Sequence, residues 1–312
     1  MPCPPDVLVV VGPTGSGKSE LGLRLAEEFS GEIVGCDSVQ IYRGFNIGTA
    51  KLAENERRGI PHHLIDICDP ETLFTAGEYA RRGRAALREI AGRGHLPIVV
   101  GGTGFYLRAL LDGLFPGPQR DDALRERLSQ RERSRPGSLH RLLRRLDPPS
   151  AARIHINDVN KTMRALEVTL LRKEPMSEQF QKGRAPLEGF RIHKVGLHPP
   201  VAELYALLEQ RVQQMFDGGL EQEVRDMLRG GEVSVLAKPF ESLGYRQALA
   251  LVEGKMLREE SIRSTQMETR RYAKRQRTWF RRDPEIKWFA GFGNDPDIQK
   301  DVVEYVRVQV SQ

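Results

Sequence analysis

Apolar positions along this chain fall first into short continuous runs and later into helical spacings. Val7-Leu8-Val9-Val10-Val11 is an unbroken, mostly β-branched run that stops at Gly12, and Leu21, Leu25 and Phe29 then recur at helical intervals. The pattern predicts strand, glycine-rich loop, helix. Glu32-Ile33-Val34-Gly35 is a second short strand ending at Cys36-Asp37-Ser38, and Leu96-Pro97-Ile98-Val99-Val100 a third ending at Gly101-Gly102-Thr103. Between them Thr75 to Ala91 predicts a helix, opened by Thr75 and Glu78 at capping-box spacing. Apolar strands alternating with helices predict a parallel sheet covered on both faces. Ligands of such sheets gather beyond the carboxyl ends of the strands, and all three ends carry polar or glycine residues.

Beyond Phe115 the texture changes. Pro116-Gly117-Pro118 reads as a linker, and the arginine-rich stretch after it has helical but no strand-like patterning. Leu124, Leu128, Leu139, Leu142, Leu143 and Leu146 supply apolar helix faces, while Pro148-Pro149 and Gly183 to Pro186 mark turns. Phe190 to Leu197 is strand-like and returns the chain to the sheet. Helices are expected to fill the rest: Ala202 to Phe216, Leu220 to Leu228, Phe240 to Val252 and Arg258 to Arg282. The expected organisation is an α/β core made of residues 1–115 and 190–312, interrupted by a helical insertion domain, residues 116–189.

Composition adds a mild bias. Across 312 residues, 39% hydrophobic and 29% charged, the chain is an ordinary folding sequence, and its +6 charge favours a polyanionic partner without establishing one. Distribution sharpens this. Gln119 to Glu188 holds 16 Lys/Arg against 10 Asp/Glu, and Arg270 to Arg282 holds seven basic residues and no acidic one. On a helix Arg270, Lys274, Arg277 and Arg281 would share one side, as suits phosphate contacts or, equally, a solvated basic face. Cys3, Cys36 and Cys68 are odd in number and lack zinc-ligand spacing, so a reducing compartment and no zinc site are expected. His62-His63 has no third ligand at useful spacing and is expected to be structural. The first eleven residues lack the features of a signal peptide, and no run approaches the ~18 apolar residues of a membrane helix. A cytoplasmic protein without a membrane partner is expected.

Gly12-Pro13-Thr14-Gly15-Ser16-Gly17-Lys18-Ser19 carries the first specific chemistry, because it fits G-x-x-x-x-G-K-[ST] between a predicted strand and a predicted helix. Glycines let backbone N–H groups close around phosphate oxygens, and the helix N-terminus adds its positive dipole end. Lys18 would reach the terminal phosphate and Ser19 would ligate Mg2+. The fold class is therefore α/β, a P-loop NTPase-like parallel sheet with helices on both faces and a helical insertion domain. The loop specifies a diphosphate-type ligand but not which bond breaks. A nucleotide kinase would usually add a carboxylate after a later buried strand; here Val100 is followed by Gly101-Gly102-Thr103.

The P-loop together with Asp37-Ser38-Val39-Gln40-Ile41-Tyr42, Asn46-Ile47-Gly48-Thr49-Ala50-Lys51, Pro61-His62-His63-Leu64-Ile65-Asp66, Val100-Gly101-Gly102-Thr103-Gly104, Arg164-Ala165-Leu166-Glu167, Gly244-Tyr245-Arg246 and Ala273-Lys274-Arg275-Gln276 resembles the bacterial-type tRNA dimethylallyltransferases, or tRNA isopentenyltransferases, in order and spacing over nearly the whole chain. The resemblance implies transfer of a dimethylallyl group from dimethylallyl diphosphate to the N6 amine of the adenosine 3′ to the anticodon, with release of diphosphate. It implies Asp37 as general base, Thr14 at the leaving bridging oxygen and Arg211 as a diphosphate clamp. By their residues alone, Asp37 is as readily a turn or N-cap aspartate, and Arg211 an unremarkable helical arginine. RNA contacts implied by matching positions are Asp37, Ser38, Val39, Gln40, Thr103, Arg125, Asn160, Lys161, Thr162, Met163, Arg164, Glu241, Ser242, Leu243, Gly244, Tyr245 and Arg246. Lys161 departs from the pattern, where arginine is commoner, and the bidentate contact is in doubt there. No cysteine follows Cys68, so the zinc finger of some eukaryotic relatives is not expected.

Expected partners are thus the anticodon stem-loop of tRNA, dimethylallyl diphosphate and Mg2+, with a monomer as the simplest assembly. Three other readings stand beside this one: a free-nucleotide isopentenyltransferase acting on AMP, ADP or ATP, a P-loop nucleotide kinase, and a non-catalytic RNA-binding P-loop protein. The basic insertion and the basic run near residue 275 argue against the first of these, since a small nucleotide needs no such surface.

Overall fold

Val7 to Val11 can be buried on both faces only in the middle of a sheet, and that is where they lie. The computed structural model describes residues 3–115, 117–181, 183–231 and 233–310; Pro116 of the expected linker lies outside them. Six strands, β1 Asp6–Val11, β2 Gly31–Cys36, β3 His62–His63, β4 Leu96–Gly101, β5 Arg191–Leu197 and β6 Ile286–Phe289, form one sheet in the order β3-β2-β4-β1-β5-β6. Every pairing is parallel. The expected parallel sheet with helices on its faces is present.

Alternation within the strands sorts the core. Leu8, Val10, Ile33, Ile98 and Val195 pack with Leu21 and Leu25 of the helix Lys18–Glu28 and with Val302 and Val306 of the helix Pro296–Val310. The helix Ala76–Gly92 packs on β2 and β4 and buries Tyr79, Leu87 and Ile90. Its cap is the predicted one: Thr75 accepts the Glu78 N–H at 3.2 Å. The Tyr79 hydroxyl donates to the Gly35 carbonyl at 3.0 Å, giving a buried phenol the partner it needs.

Two compact units result, one of residues 1–110 with 187–312 and one of Leu111–Pro186. The second is all-helical: Asp122–Ser134, Ser138–Leu146, Pro148–Arg153, Val159–Arg172 and Met176–Gln181. Leu124, Leu128, Leu139, Leu143 and Leu166 form its core, with Leu142 at the margin. Leu146, expected on an apolar face, is exposed, being the last residue of its helix. Pro148-Pro149, expected as a turn, opens a helix instead. Asp147 caps it by accepting the Ser150 N–H at 3.1 Å, and proline suits a first helical turn whose N–H groups have no partner.

Three other expectations are corrected. Strand β6, Ile-Lys-Trp-Phe, lies where only helices were expected; it is short and carries an exposed lysine, as an edge strand paired to β5 alone can. Strand β3 comprises the two histidines. The helix expected over Phe240–Val252 is a 3-10 turn, Lys238–Glu241, followed by a helix that starts at Tyr245. Gly244, at φ 87°, breaks the run, and Gln247 Oε1 accepts its N–H at 3.0 Å. The long helix expected over Arg258–Arg282 spans Arg258–Phe280. Among the described residues no helix is long and apolar enough to cross a membrane.

Candidate active site

Because β1, β4 and β2 are parallel neighbours, with Val10 beside Val100 and Cys36 beside Gly101, the residues that follow each strand emerge at one edge of the sheet. This brings the glycine-rich loop, Asp37 and Gly101-Gly102-Thr103 together. The glycines at 101 and 102 are needed for close approach. A Cβ at 101 would lie 2.1 Å from the Cys36 carbonyl oxygen, and one at 102 would lie 2.2 Å from the amide nitrogen of Gln276. Gln276 is buried in the helix Arg258–Phe280; its Oε1 accepts the Thr14 N–H at 2.8 Å and its Nε2 donates to the Gly102 carbonyl at 2.9 Å. Replacing Gln276 by Leu leaves both groups unpaired. The expected loss is about 1–3 kcal/mol of stability together with weaker diphosphate binding, read by thermal unfolding and calorimetry; unchanged values in both would show that the tether is dispensable.

The loop itself is held from both sides. Gly17, at φ 82°, packs so closely on the segment after β6 that a Cβ would sit 2.7 Å from the Gly293 nitrogen, and the Gly293 N–H donates to the Ser16 carbonyl at 2.8 Å. Lys18 Nζ donates to the Pro13 carbonyl at 2.7 Å. Burial and the neighbouring Arg211 push the Lys18 ammonium down to about 7, with the Asp37 carboxylate opposing the shift. Ser16 Oγ is buried and has no hydrogen-bond partner among the described residues. Ser19 lies exposed in the first turn of its helix.

In front of the loop is a cleft of about 350 Å³. Thr14, Asp37 to Val39, Gly48 and Thr49 form one wall; Leu208, Arg211, Val212 and Met215 of the helix Val201–Asp217 form another; Thr265, Thr269, Tyr272 and Arg275 of the long helix close it. Glu241 to Gly244 and Arg246 complete the lining. Burial lowers the Arg211 pKa and the Asp37 carboxylate raises it, and the guanidinium makes no hydrogen bond or ion pair among the described residues. A half-buried cation whose donors are not engaged can take up an anion that offsets its desolvation. Arg211 and Lys18 together could hold an oxyanion, and Leu208, Val212 and Met215 beside it suit a short hydrocarbon.

Asp37 uses one oxygen locally: Oδ1 accepts the N–H groups of Val39 at 2.8 Å and Gln40 at 3.2 Å, and the turn is fixed further by Thr103 Oγ1, which accepts the Ser38 N–H at 3.1 Å. The turn and base readings are thus compatible, since Oδ2 is not engaged in the turn. Tyr245, carried over as an RNA contact, is fully buried. Its hydroxyl donates to Glu223 Oε1 at 2.5 Å and accepts the Gly48 N–H at 3.1 Å, while Glu223 also accepts the Ile47 N–H at 3.0 Å. Tyr245 and Glu223 therefore position the Gly48–Thr49 wall. Glu223 was missed by the sequence reading because nothing in its helix marks it.

The basic run is only partly free of protein partners. Arg270 is ion-paired to Glu209, Arg281 bonds His198 at 3.1 Å, and Arg277 is half-buried. The exposed basic residues are Arg271, Lys274, Arg275, Arg281 and Arg282. In the helical unit Asn160 and Lys161 are exposed, whereas Thr162 and Met163, both carried over as RNA contacts, are buried in its core. Arg125 forms a bidentate pair with Glu167 at 2.7 and 2.9 Å, and Arg164 bonds the same carboxylate at 2.5 Å. These two arginines have structural partners. His63 bonds Glu32 at 2.7 Å and His62 the Ile60 carbonyl at 2.8 Å, consistent with structural roles.

Residues 40–283 match the family model described as IPP transferase. The chain belongs to the IPP transferase family. A tRNA dimethylallyltransferase of Solibacter usitatus is 58% identical over 300 residues, covering 96% of this chain and 97% of the relative; that of Koribacter versatilis is 51% identical over 304 residues, covering 97% and 98%. Among solved structures, the full-length tRNA isopentenylpyrophosphate transferase of Bacillus halodurans matches with a TM-score of 0.73 at 33% identity, covering 98% of this chain and 97% of that one. A eukaryotic dimethylallyltransferase described as acting on tRNA matches with a TM-score of 0.80 at 28% identity, covering 97% of this chain and 77% of that one. Membership in the IPP transferase family makes the chain a transferase, and neither kinase nor non-catalytic binding is favoured.

Proposed function

We infer that the protein prenylates tRNA, transferring the dimethylallyl group of dimethylallyl diphosphate to the N6 amine of the adenosine 3′ to the anticodon and releasing diphosphate. The observation that carries this reading is the cleft that joins Arg211 and the P-loop to the Asp37 carboxylate and an apolar wall. Arg211 and the loop N–H groups would hold the diphosphate, and Thr14 would contact the bridging oxygen as it leaves. Charge grows on that oxygen as the carbon–oxygen bond breaks, which is where fixed donors and cations accelerate most. Asp37 would accept the proton of the weakly nucleophilic adenine amine. The target adenosine must leave its stack to enter such a cleft.

Mg2+ fits this site only by way of the diphosphate. Among the described residues no group of three or more His, Cys, Asp or Glu side chains could cage a metal, whereas Ser19 stands free in the first turn after Lys18. Ser19 and diphosphate oxygens would hold the ion, which would supply charge neutralisation of the leaving group. We place the reaction in the cytoplasm, with a monomer acting on one anticodon stem-loop. Asn160 and Lys161 are the exposed candidates for RNA contact on the helical unit, and Glu241 to Leu243 with Arg246 those at the cleft.

Incubation with Mg2+, labelled dimethylallyl diphosphate and either an anticodon stem-loop, AMP or ATP tests the proposal. Label is expected in the stem-loop alone. Label in AMP would instead identify a free-nucleotide isopentenyltransferase, and ATP turnover a kinase.

A further inference from the structure

The long helix that closes the cleft continues past it. Tyr272 and Arg275 line the cleft and Gln276 ties the P-loop, and Trp279 lies in the next turn of the same helix. Trp279 is 40% exposed. Its inner edge rests on the backbone of Gly104, where a Cβ would lie 2.3 Å from the indole nitrogen. Gly104 directly follows Thr103, which holds the turn of Asp37. The indole is thus supported from below, a few residues from the proposed base, with part of its ring open to solvent. Phe105, next in the chain, is 52% exposed.

Charge around this ring is uncompensated. Arg271, Arg275 and Trp279 follow one another at intervals of four, which sets them along one side of the helix, and Arg282 lies just past the helix end at Phe280. Arg275 also stacks over Tyr272, 5.6 Å from its centroid. Arg271, Lys274, Arg275 and Arg282 pair with no acidic residue among the described residues, whereas Arg263 and Arg270 of the same helix pair with Glu259 and Glu209. An open aromatic face among unpaired cations is the arrangement that single-stranded nucleic acid needs, a stacking platform beside phosphate sites.

We propose that Trp279 is a stacking platform for an unpaired base flanking the target adenosine, with Arg275 and Arg282 on the adjoining phosphates. The inference rests on the tRNA-prenylating reading and assigns Trp279 to positioning the RNA, not to the chemistry. Stacking a flanking base would hold the loop open while the adenosine occupies the cleft.

Binding of an anticodon stem-loop across a salt series, compared among wild type, Trp279→Ala, Trp279→Phe and Arg275→Gln, tests this. Trp279→Ala is expected to weaken binding about tenfold and Trp279→Phe by less than about threefold. Neither should change the salt slope, because a neutral stack releases no counter-ions, while Arg275→Gln should lower it by roughly 0.7. KM for dimethylallyl diphosphate should stay unchanged in both tryptophan variants. Stem-loop binding should quench tryptophan emission in wild type but not in Trp279→Phe, which leaves Trp288 as the sole tryptophan. Wild-type affinity in Trp279→Ala, or an equal rise in KM for dimethylallyl diphosphate, would overturn the platform. If wild type binds the stem-loop without prenylating it, the reaction assignment fails while this test still stands; if wild type does not bind it, both fail.

Discussion

Asp37→Asn is expected to lower turnover by about two to four orders of magnitude, the usual contribution of a positioned general base, while stem-loop and diphosphate binding stay within a few-fold of wild type. Asparagine is the informative substitution because Asp37 does two things. Its Oδ1 accepts the Val39 and Gln40 N–H groups, and an asparagine oxygen can accept them equally well. What asparagine cannot do is take a proton, since it presents an amide where the second carboxylate oxygen stood. Asp37→Ala removes both functions and should also lose about 1 kcal/mol of stability with the turn. Single-turnover prenylation of a stem-loop separates the roles: full activity in Asp37→Asn with low activity in Asp37→Ala would reduce Asp37 to a turn residue.

How far this site was legible in the sequence depends on how local its parts are. The P-loop and the strand before it form one contiguous signal, and the runs ending at Cys36 and Val100 announced their strands for the same reason. Arg211 is different. Its helix passes the cleft only because the chain returns through β5 after the insertion, and no neighbouring residue distinguishes it from a surface arginine; family resemblance supplied it. The basic run shows a third case, in which the expected side is only partly open: Lys274 and Arg281 are exposed, while Arg270 and Arg277 are half-buried. Periodicity says that Arg270, Lys274, Arg277 and Arg281 share a side, but packing decides which side faces in, and Glu209 and His198 lie on other segments. Strand β6 escaped because an edge strand of four residues need not be apolar on both faces. Thr162, Met163 and Tyr245 lie in motifs that the resemblance links to RNA, yet their burial shows that a motif can include the residues that hold a surface as well as those that form it.

Glu167→Gln is expected to destabilise the helical unit by about 3 kcal/mol, and the share of that unit's acid sensitivity that this carboxylate supplies should disappear with it. Burial alone would raise the Glu167 carboxyl, but the Arg125 guanidinium, the Asp121 N–H and Arg164 outweigh it and hold it at about 2, against an ordinary 4.5. Because the folded pKa lies below the unfolded one, the stabilisation is complete above about pH 4.5 and is lost as pH falls through 2. Its size, about 3 kcal/mol from the shift, agrees with the ~3–5 kcal/mol cost of breaking a buried pair, reduced here because Arg125 and Arg164 are 21% and 34% exposed and regain some hydration. Glutamine keeps the shape and a hydrogen-bond acceptor but leaves two guanidinium groups facing a neutral amide. Hydrogen exchange of the Val159–Arg172 amides localises the effect to this unit in the full chain. Wild type should lose protection between pH 4.5 and 2, and Glu167→Gln should start lower and lose less over that range, the remaining loss coming from Glu132, Asp147 and Asp158, whose carboxyls are also held below their ordinary range. Wild-type protection in Glu167→Gln at pH 7 would mean that Arg125 and Arg164 do not depend on the carboxylate, and would return both arginines to the list of candidate RNA contacts.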